Sequence, residues 1–231
     1  MSTLLLRFAG PLQSWGSSSR FTIRMTEREP TKSGTIGLIA AAMGRMRDDS
    51  IEDLTGVKFG VRIDQVGKLL SDFHTAKSAS GESFVSRRYY LADAIFLVGI
   101  EGAEELLIAA DKAINNPVFP LYLGRRSCPP VGPVSLGIQK GLGLAETLTD
   151  LNAAPWQASD WYQKKQGEVV YLELVMDADP EEKGAFLKSD VPITFDQSYR
   201  RYGYRNVVSK NKGVKVENPL GKGGHDPMEV L

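Results

Sequence analysis

The chain has 231 residues, of which 42% are hydrophobic and 24% charged, a composition that excludes collagen-like, wholly disordered and coiled-coil architectures. One cysteine, Cys128, cannot form an internal disulfide or a Cys-x-x-Cys site, which fits a reducing compartment. The 28 basic and 28 acidic side chains cancel, and no apolar run approaches the ~18 residues of a membrane span, so a cytoplasmic protein without membrane contact is expected.

Ser2 to Ala9 is apolar with little alternation, as in a central strand, and Gly10-Pro11 ends it. Ile36, Ile39, Ala40 and Met43 share one stripe, which predicts a helix from Ser33 to Arg45 with Thr31 or Ser33 as N-cap and Gly44 as its limit. A short helical turn is predicted from Ser50 to Leu54, closed by Gly56. Val57, Phe59, Val61 and Ile63 then alternate with polar partners, predicting a strand over Val57 to Gln65 with one buried face. Gly67-Lys68 predicts a turn into Leu69 to Thr75, and Phe84 to Leu91 reads as its companion strand, giving an inserted hairpin near 66–91. Ala94 to Ile100 is a second fully apolar strand, followed by a helix over Ala103 to Asn115 and a strand over Val134 to Ile138.

This order, β-α-β, an inserted hairpin, then β-α-β, is the split βαβ of a ferredoxin-like fold and predicts an α+β domain over residues 1–143. A short helix from Glu146 to Ala153, a strong strand from Glu168 to Met176 and weaker strands near Ile193 and Val207 predict a smaller β-rich region over 144–217. The Gly- and Pro-rich stretch 218–231 is expected to be a mobile tail.

The balanced charge conceals blocks. Residues 1–47 carry a net +5, 48–118 −5, 119–144 +3, 145–196 −7 and 197–224 +6. A fold that gathers the three basic blocks presents one face to a polyanion and an acidic face elsewhere; scattered blocks simply cancel.

Two histidines bound the chemistry. His225 falls in the expected tail, which leaves His74 as the one imidazole in a structured context and disfavours paired imidazole catalysis. The sequence has no HExxH and no Cys pair, and Asp48-Asp49 reads as helix capping, so no metal or other cofactor is expected. Gly34-x-x-Gly37 and Gly221-Lys222-Gly223-Gly224 lack the Walker pattern.

Three polar loops in the basic blocks remain. Gln13-Ser14-Trp15-Gly16 places an amide beside an indole that either stacks on a base or belongs to the core. Pro30-Thr31-Lys32-Ser33-Gly34 opens a helix, where Thr31, Lys32 and Ser33 suit either a phosphate or plain capping. Tyr122-Leu123-Gly124-Arg125-Arg126-Ser127-Cys128-Pro129 offers two adjacent guanidinium groups and an aromatic with no acid nearby.

At these loops the sequence resembles a known family, the RAMP-superfamily subunits that sit at the 5′ end of the guide RNA in type I-E CRISPR Cascade surveillance complexes. Arg7 to Gly16 (RFAGPLQSWG), Pro30 to Leu38 (PTKSGTIGL), Asp72 to Thr75 (DFHT), Arg88 to Phe96 (RYYLADAIF) and Leu121 to Pro129 (LYLGRRSCP) carry the likeness. It implies a ferredoxin-like (RRM-like) RAMP domain with a β-hairpin thumb between Thr75 and Leu91. It also implies a non-catalytic role in antiviral defence: gripping the 5′ handle of the CRISPR guide RNA, capping the backbone, and meeting the backbone and large Cascade subunits and, indirectly, target DNA. Gln13, Trp15, Thr31, Lys32, Ser33, His74, Arg88, Tyr122, Arg125, Arg126 and Ser127 are the expected RNA contacts. Related subunits of type I-C systems cut repeat RNA without metal. The alternative expectation is therefore an endoribonuclease with His74 as general base and Lys77 or Arg88 stabilising the charged intermediate.

Overall fold

A strand with almost no polar position needs cover on both faces, and the first strand, β1 (Ser2–Ala9), has it: Leu4, Leu6 and Phe8 join one buried cluster while Leu5 joins another. The computed structural model describes residues 1–16, 23–78, 81–196 and 198–221. After β1 come β2 (Leu12–Gln13), β3 (Ile23–Arg24), α1 (Lys32–Ala42), α2 (Glu52–Thr55), β4 (Lys58–Gln65), and the hairpin strands β5 (Lys68–Lys77) and β6 (Ser83–Ala92). The chain continues through β7 (Ile95–Gly102), α3 (Glu104–Asn115), β8 (Ser135–Lys140), α4 (Leu144–Thr149) and α5 (Asp160–Gln163). It ends with β9 (Val169–Asp177), β10 (Phe186–Thr194) and β11 (Arg201–Glu217). The architecture is a mixed α+β arrangement dominated by antiparallel sheet.

One antiparallel sheet of seven strands runs in the order β10-β11-β9-β4-β7-β1-β8. Helices α1 and α3 cover one face, where Ile36, Ile39, Leu107 and Ile114 pack on Phe59, Val61, Phe96 and Val98. The opposite face carries α4 and the segment that follows it, with Leu144 and Leu148 on Leu5, Leu97, Leu172 and Leu174. Gly99 lets α4 approach: a Cβ there would stand 2.7 Å from Leu144 Cδ1.

This second layer changes the reading of β4, which was expected to bury one face. Its other face holds Arg62 and Asp64, both buried. Arg62 Nε and Nη2 donate to the two Asp64 oxygens at 2.6 and 2.9 Å. The same guanidinium donates to the carbonyls of Leu148, Ala154 and Pro155 at 3.0 to 3.2 Å. A forked ion pair with its remaining N–H groups satisfied is tolerated in a dry layer, and here it fastens the 144–155 segment to the sheet.

The strands of the C-terminal third extend this same sheet: β9 pairs β4, with Gly60 opposite Met176, and β11 then pairs β9. The strand near Val207 is far longer than its sequence suggests, 17 residues, because the polar run Lys210 to Lys212 falls where the register shifts between Lys210 and Val214. The hairpin is also longer than expected. It pairs from Lys68 opposite Ala92 to Lys77 opposite Ser83, while β2 and β3 line the other edge of β6.

At the start of the expected mobile tail Asn218 is buried and its side-chain amide donates to the carbonyls of Gln163 and Gly167 at 2.9 Å. Residues 222–231, with His225 and most of the Gly221 to Gly224 motif, lie outside the described residues. No described helix is long and apolar enough to cross a membrane.

Candidate nucleic-acid interface

The face of α1 that bears Gly34 and Gly37 forms the floor of an open groove of about 1110 Å³. Phe119, Tyr122 and Arg126 of the 119–129 segment line it, with Phe195, Asp196, Arg200 and Tyr202 from the C-terminal third and Arg47 and Asp48 from beyond α1. Arg47, Arg126 and Arg200 come one each from the three basic blocks, and all three are exposed without an acidic partner among the described residues. Arg45 also lines the groove but is engaged, forked onto Asp53 with both contacts at 2.5 Å and donating to the Ser50 carbonyl. Hydrogen bonding to Arg45 in turn holds the Asp53 carboxyl below its usual range. Guanidinium groups and aromatic rings lining one groove suit a single-stranded nucleic acid, the charges meeting phosphates and the rings meeting bases.

The start of α1 is built for capping. Thr31 is the N-cap, its Oγ1 accepting the Gly34 N–H at 3.2 Å, and Ser33 Oγ donates to Thr31 Oγ1 at 3.4 Å. Lys32 corrects the expectation of an RNA contact. It is 5% exposed, its Nζ donates to the Val57 carbonyl at 2.5 Å and sits 3.5 Å from Asp177, and its backbone N–H donates to Asp190 at 2.9 Å. Burial pushes the Lys32 pKa down, opposed by the charge of Asp177. The helix N-terminus that was expected to receive phosphate receives a carboxylate of the chain itself.

Gln13 and Trp15 are likewise corrected. Gln13 is 0% exposed and its amide is fully committed: Nε2 donates to the carbonyls of Phe8 and Ala94 at 3.2 and 2.8 Å, and Oε1 accepts the Trp15 indole N–H at 3.1 Å. Trp15 is 1% exposed, stacked on Phe8 with ring centroids 5.3 Å apart and packed closely by Gly34, where a Cβ would stand 2.8 Å from the ring. No face remains for a base. The pair acts through position instead, because the loop of Gly124 rests on it. Gly124 has φ +84°, and a Cβ there would fall 1.8 Å from the Ser14 carbonyl oxygen.

Arg125 and Arg126 do not serve one site. Arg126 faces the groove, whereas Arg125 turns to the hairpin sheet, its guanidinium 4.7 Å over the Tyr90 ring and its Nη2 donating to the Arg24 carbonyl at 3.0 Å. Tyr122 lines the groove and Ser127 is exposed beside buried Cys128, whose thiol burial pushes up.

His74, Lys77 and Arg88 lie on the hairpin. His74 Nε2 stands 2.5 Å from an Asp72 carboxylate oxygen, with the side chain 39% exposed. Strand alternation puts Arg88 on the face of His74 and Lys77 on the opposite face, so the three do not surround one point. Among the described residues no three His, Cys, Asp or Glu side chains gather to hold a metal. The residues that sequence reasoning overlooked are Arg47, Phe195, Arg200, Tyr202 and Tyr90; the basic block 197–224 was the available signal for Arg200.

Comparison with known proteins identifies the family. The model of the family described as CRISPR-associated protein (Cas_Cas5) matches residues 3–208. The CRISPR system Cascade subunit CasD of Escherichia coli (strain K12) is 38% identical over 158 residues, 59% of this chain and 70% of that protein. Among solved structures, a chain of a CRISPR RNA-guided surveillance complex is 32% identical with a TM-score of 0.74, covering 98% of this chain and 96% of that one. A crystal structure of a Cas protein is 36% identical with a TM-score of 0.66, covering 97% of this chain and 100% of its own. A match that runs through the groove floor, the Gly124 loop and the hairpin, and nearly the whole sheet, places the chain in a family: it belongs to the CRISPR-associated Cas5 proteins.

Proposed function

We propose that the chain is a non-catalytic RNA-binding subunit of a type I-E Cascade surveillance complex in the cytoplasm, holding the 5′ handle of the CRISPR guide RNA in the groove on α1. The observation that carries this reading is the convergence of Arg47, Arg126 and Arg200, from three separate basic blocks, on one groove also lined by Phe119, Tyr122, Phe195 and Tyr202. Similarity to a Cascade subunit and to a chain of an RNA-guided surveillance complex supports it independently. Ser33, Tyr122, Arg126 and Ser127 remain as proposed RNA contacts from the sequence, joined by Arg47, Arg200 and Tyr202.

The spatial order β8-β1-β7-β4, with α1 after the first of these strands in the chain and α3 after the third, supports a ferredoxin-like (RRM-like) RAMP core over 1–143. On this reading β5 and β6 are the thumb that reaches the neighbouring backbone subunit, whose guide-bound row the protein caps, and 144–217 is a β-rich extension of the core. Contacts to the large subunit and, through the complex, to target DNA follow from the same role.

Binding of handle RNA by the purified chain, measured by fluorescence anisotropy across a salt series, tests the reading. Affinity should fall steeply with salt and drop on Arg126→Ala, while a flat response overturns it. Incubation of repeat RNA with the chain in EDTA tests the nuclease alternative. Intact RNA is expected, since Lys77 lies across the hairpin from His74; cleavage abolished by His74→Ala would replace the proposal.

A further inference from the structure

β10 and β11 leave the body of the sheet as a two-stranded ribbon. β10 is the outermost strand, and its ladder with β11 runs from Phe186 opposite Val207 to Thr194 opposite Arg201. β11 joins β9 only from Val207 onward, where it faces Asp177. Over Arg201 to Arg205 the ladder therefore has two strands, an arrangement that is marginally stable in water without further support. This ribbon nevertheless brings Phe195, Asp196, Arg200 and Tyr202 to the groove.

The support comes from the side facing α1. Lys188 to Val191 on β10 span one residue more than Arg205 to Gly203 opposite, and Asp190 lies in the resulting bulge. Its buried carboxylate accepts the Lys32 N–H of α1 at 2.9 Å and Nε and Nη2 of Arg205 from β11 at 2.6 and 2.9 Å. Arg205 reaches on to Asp177 of β9 at 2.5 Å and lies 5.0 Å over the Phe59 ring of β4, while Asp177 accepts the Phe59 N–H at 2.9 Å. Nearer the groove a looser contact meets α1, where a Cβ on Gly37 would stand 3.5 Å from Phe195 Cζ. Lys32, Asp177, Asp190 and Arg205 are not among the residues that line the groove.

We propose that Asp190 and Arg205 are positioning residues for RNA binding: their forked pair fixes the ribbon against α1 and so sets where Arg200 stands relative to Arg126. The proposal rests on the guide-RNA reading and goes beyond it by giving a binding role to residues that touch no RNA. A forked guanidinium–carboxylate contact fixes an orientation as well as a distance, which apolar packing does not. Arg126 has its own support, since its loop rests on Ser14 through the Gly124 turn. Arg200 depends on the ribbon. A ribbon free to swing would have to be ordered by the RNA itself, at the expense of affinity.

The test is a mutant cycle in the full chain with single-stranded handle RNA, at a temperature where circular dichroism shows every variant folded. Asp190→Asn removes a negative charge, so charge alone predicts tighter RNA binding. Positioning predicts the opposite sign. Asp190→Asn should bind more weakly, and its plot of log affinity against log salt should be shallower by about 0.7, the share of one single-strand phosphate contact. Adding Arg200→Ala to Asp190→Asn should change neither quantity, whereas adding Arg126→Ala should remove a further 0.7 or so from the slope. Arg205→Lys, which keeps the charge and loses the fork, should repeat this pattern and carries the cycle if Asp190→Asn does not fold. In the free chain, hydrogen exchange at Arg201 and Tyr202 should quicken more than in β1 and β7, where a general loss of stability would act equally. Wild-type or tighter binding by Asp190→Asn, or an equal cost of Arg200→Ala in both backgrounds, overturns the positioning role and leaves the RNA reading standing. Failure of both variants to fold makes the pair a requirement of the fold alone and also overturns it. Failure of wild type to bind RNA overturns both.

Discussion

The carboxylate of Asp190 accepts the backbone N–H of Lys32 at 2.9 Å, so a strand from the C-terminal third supplies the negative charge at the N-terminus of the groove helix. Asp190 also accepts both arms of Arg205, at 2.6 and 2.9 Å, and Arg205 reaches on to Asp177, which faces Lys32. Four charges from α1, β9, β10 and β11 thus close one buried ring behind the groove.

Asp190→Asn should cost about 3–5 kcal/mol in thermal or urea unfolding, because it leaves Arg205 buried with half its compensation. The pH dependence follows from the same contacts. Burial alone would push the Asp190 carboxyl up, but hydrogen bonding and charge from Arg205, aided by the Lys32 N–H, outweigh it and hold the carboxyl below its usual range. A carboxylate depressed in the folded state contributes stability in full above its unfolded value, about 3.9, and loses it as pH falls through the lower folded value. Wild type should therefore lose this stability below about pH 4, where the Asp190→Asn curve should be flatter. Parallel curves for the two proteins across that range would show that Asp190 is not the group responsible.

In the groove, Arg126→Ala with Arg200→Ala should leave the melting temperature unchanged, since both side chains are exposed and unpaired among the described residues. RNA binding should weaken, and the slope of log affinity against log salt should become shallower by about 1.4, at 0.7 per phosphate contact of a single strand. An unchanged slope would remove these two residues from the RNA path.

Trp15→Ala should act on the fold. Loss of a core tryptophan costs about 3–5 kcal/mol, here compounded by the loss of the indole partner of Gln13 Oε1. Trp15→Phe keeps a ring against Phe8 and should cost less. If Trp15→Ala melts like wild type and binds RNA more weakly, the ring is a base platform after all.

Gly124→Ala should be as damaging as many core substitutions, although the residue is exposed on a loop. The left-handed backbone is strained for any side chain, and the new Cβ would overlap the Ser14 carbonyl oxygen. The loop must lift, moving Arg125 off Tyr90 and Arg126 out of the groove lining. Reduced RNA affinity with most of the fold retained, read by binding and by near-UV circular dichroism together, is the expected result.

Local pattern announced most of the elements, and long-range partners decided what their polar residues do. The alternation of Val57 to Ile63 and the stripe of Ile36, Ile39 and Ala40 mark β4 and α1 correctly, because each reflects a face buried against the sheet core. Lys32 reads as a free basic residue until Asp177 and Asp190 arrive from 145 and more residues away. Gln13 and Trp15 read equally as a nucleotide platform or as core, because an amide beside an indole looks the same whether its partners are a base or the carbonyls of Phe8 and Ala94. Arg125 and Arg126 read as a pair serving one site, yet past the Gly124 turn one lies over Tyr90 and the other lines the groove. The groove itself was legible only as charge blocks, since Arg47, Arg126 and Arg200 have no sequence proximity to suggest their meeting.

The order of strands in the sheet bears on how the molecule comes into being. β4 is completed early in synthesis, but its neighbour β9 follows more than a hundred residues later, Gly60 pairing with Met176. During that interval one edge of β4 has its N–H and C=O groups open, and Leu5 and Leu97 lack the cover that Leu172 and Leu174 later provide. A nascent or prematurely ended chain is therefore exposed to strand pairing with its neighbours in a way the finished molecule is not. Because Arg200 and Tyr202 follow β9 in the chain, the lining of the groove is likewise completed only after β9 has been made.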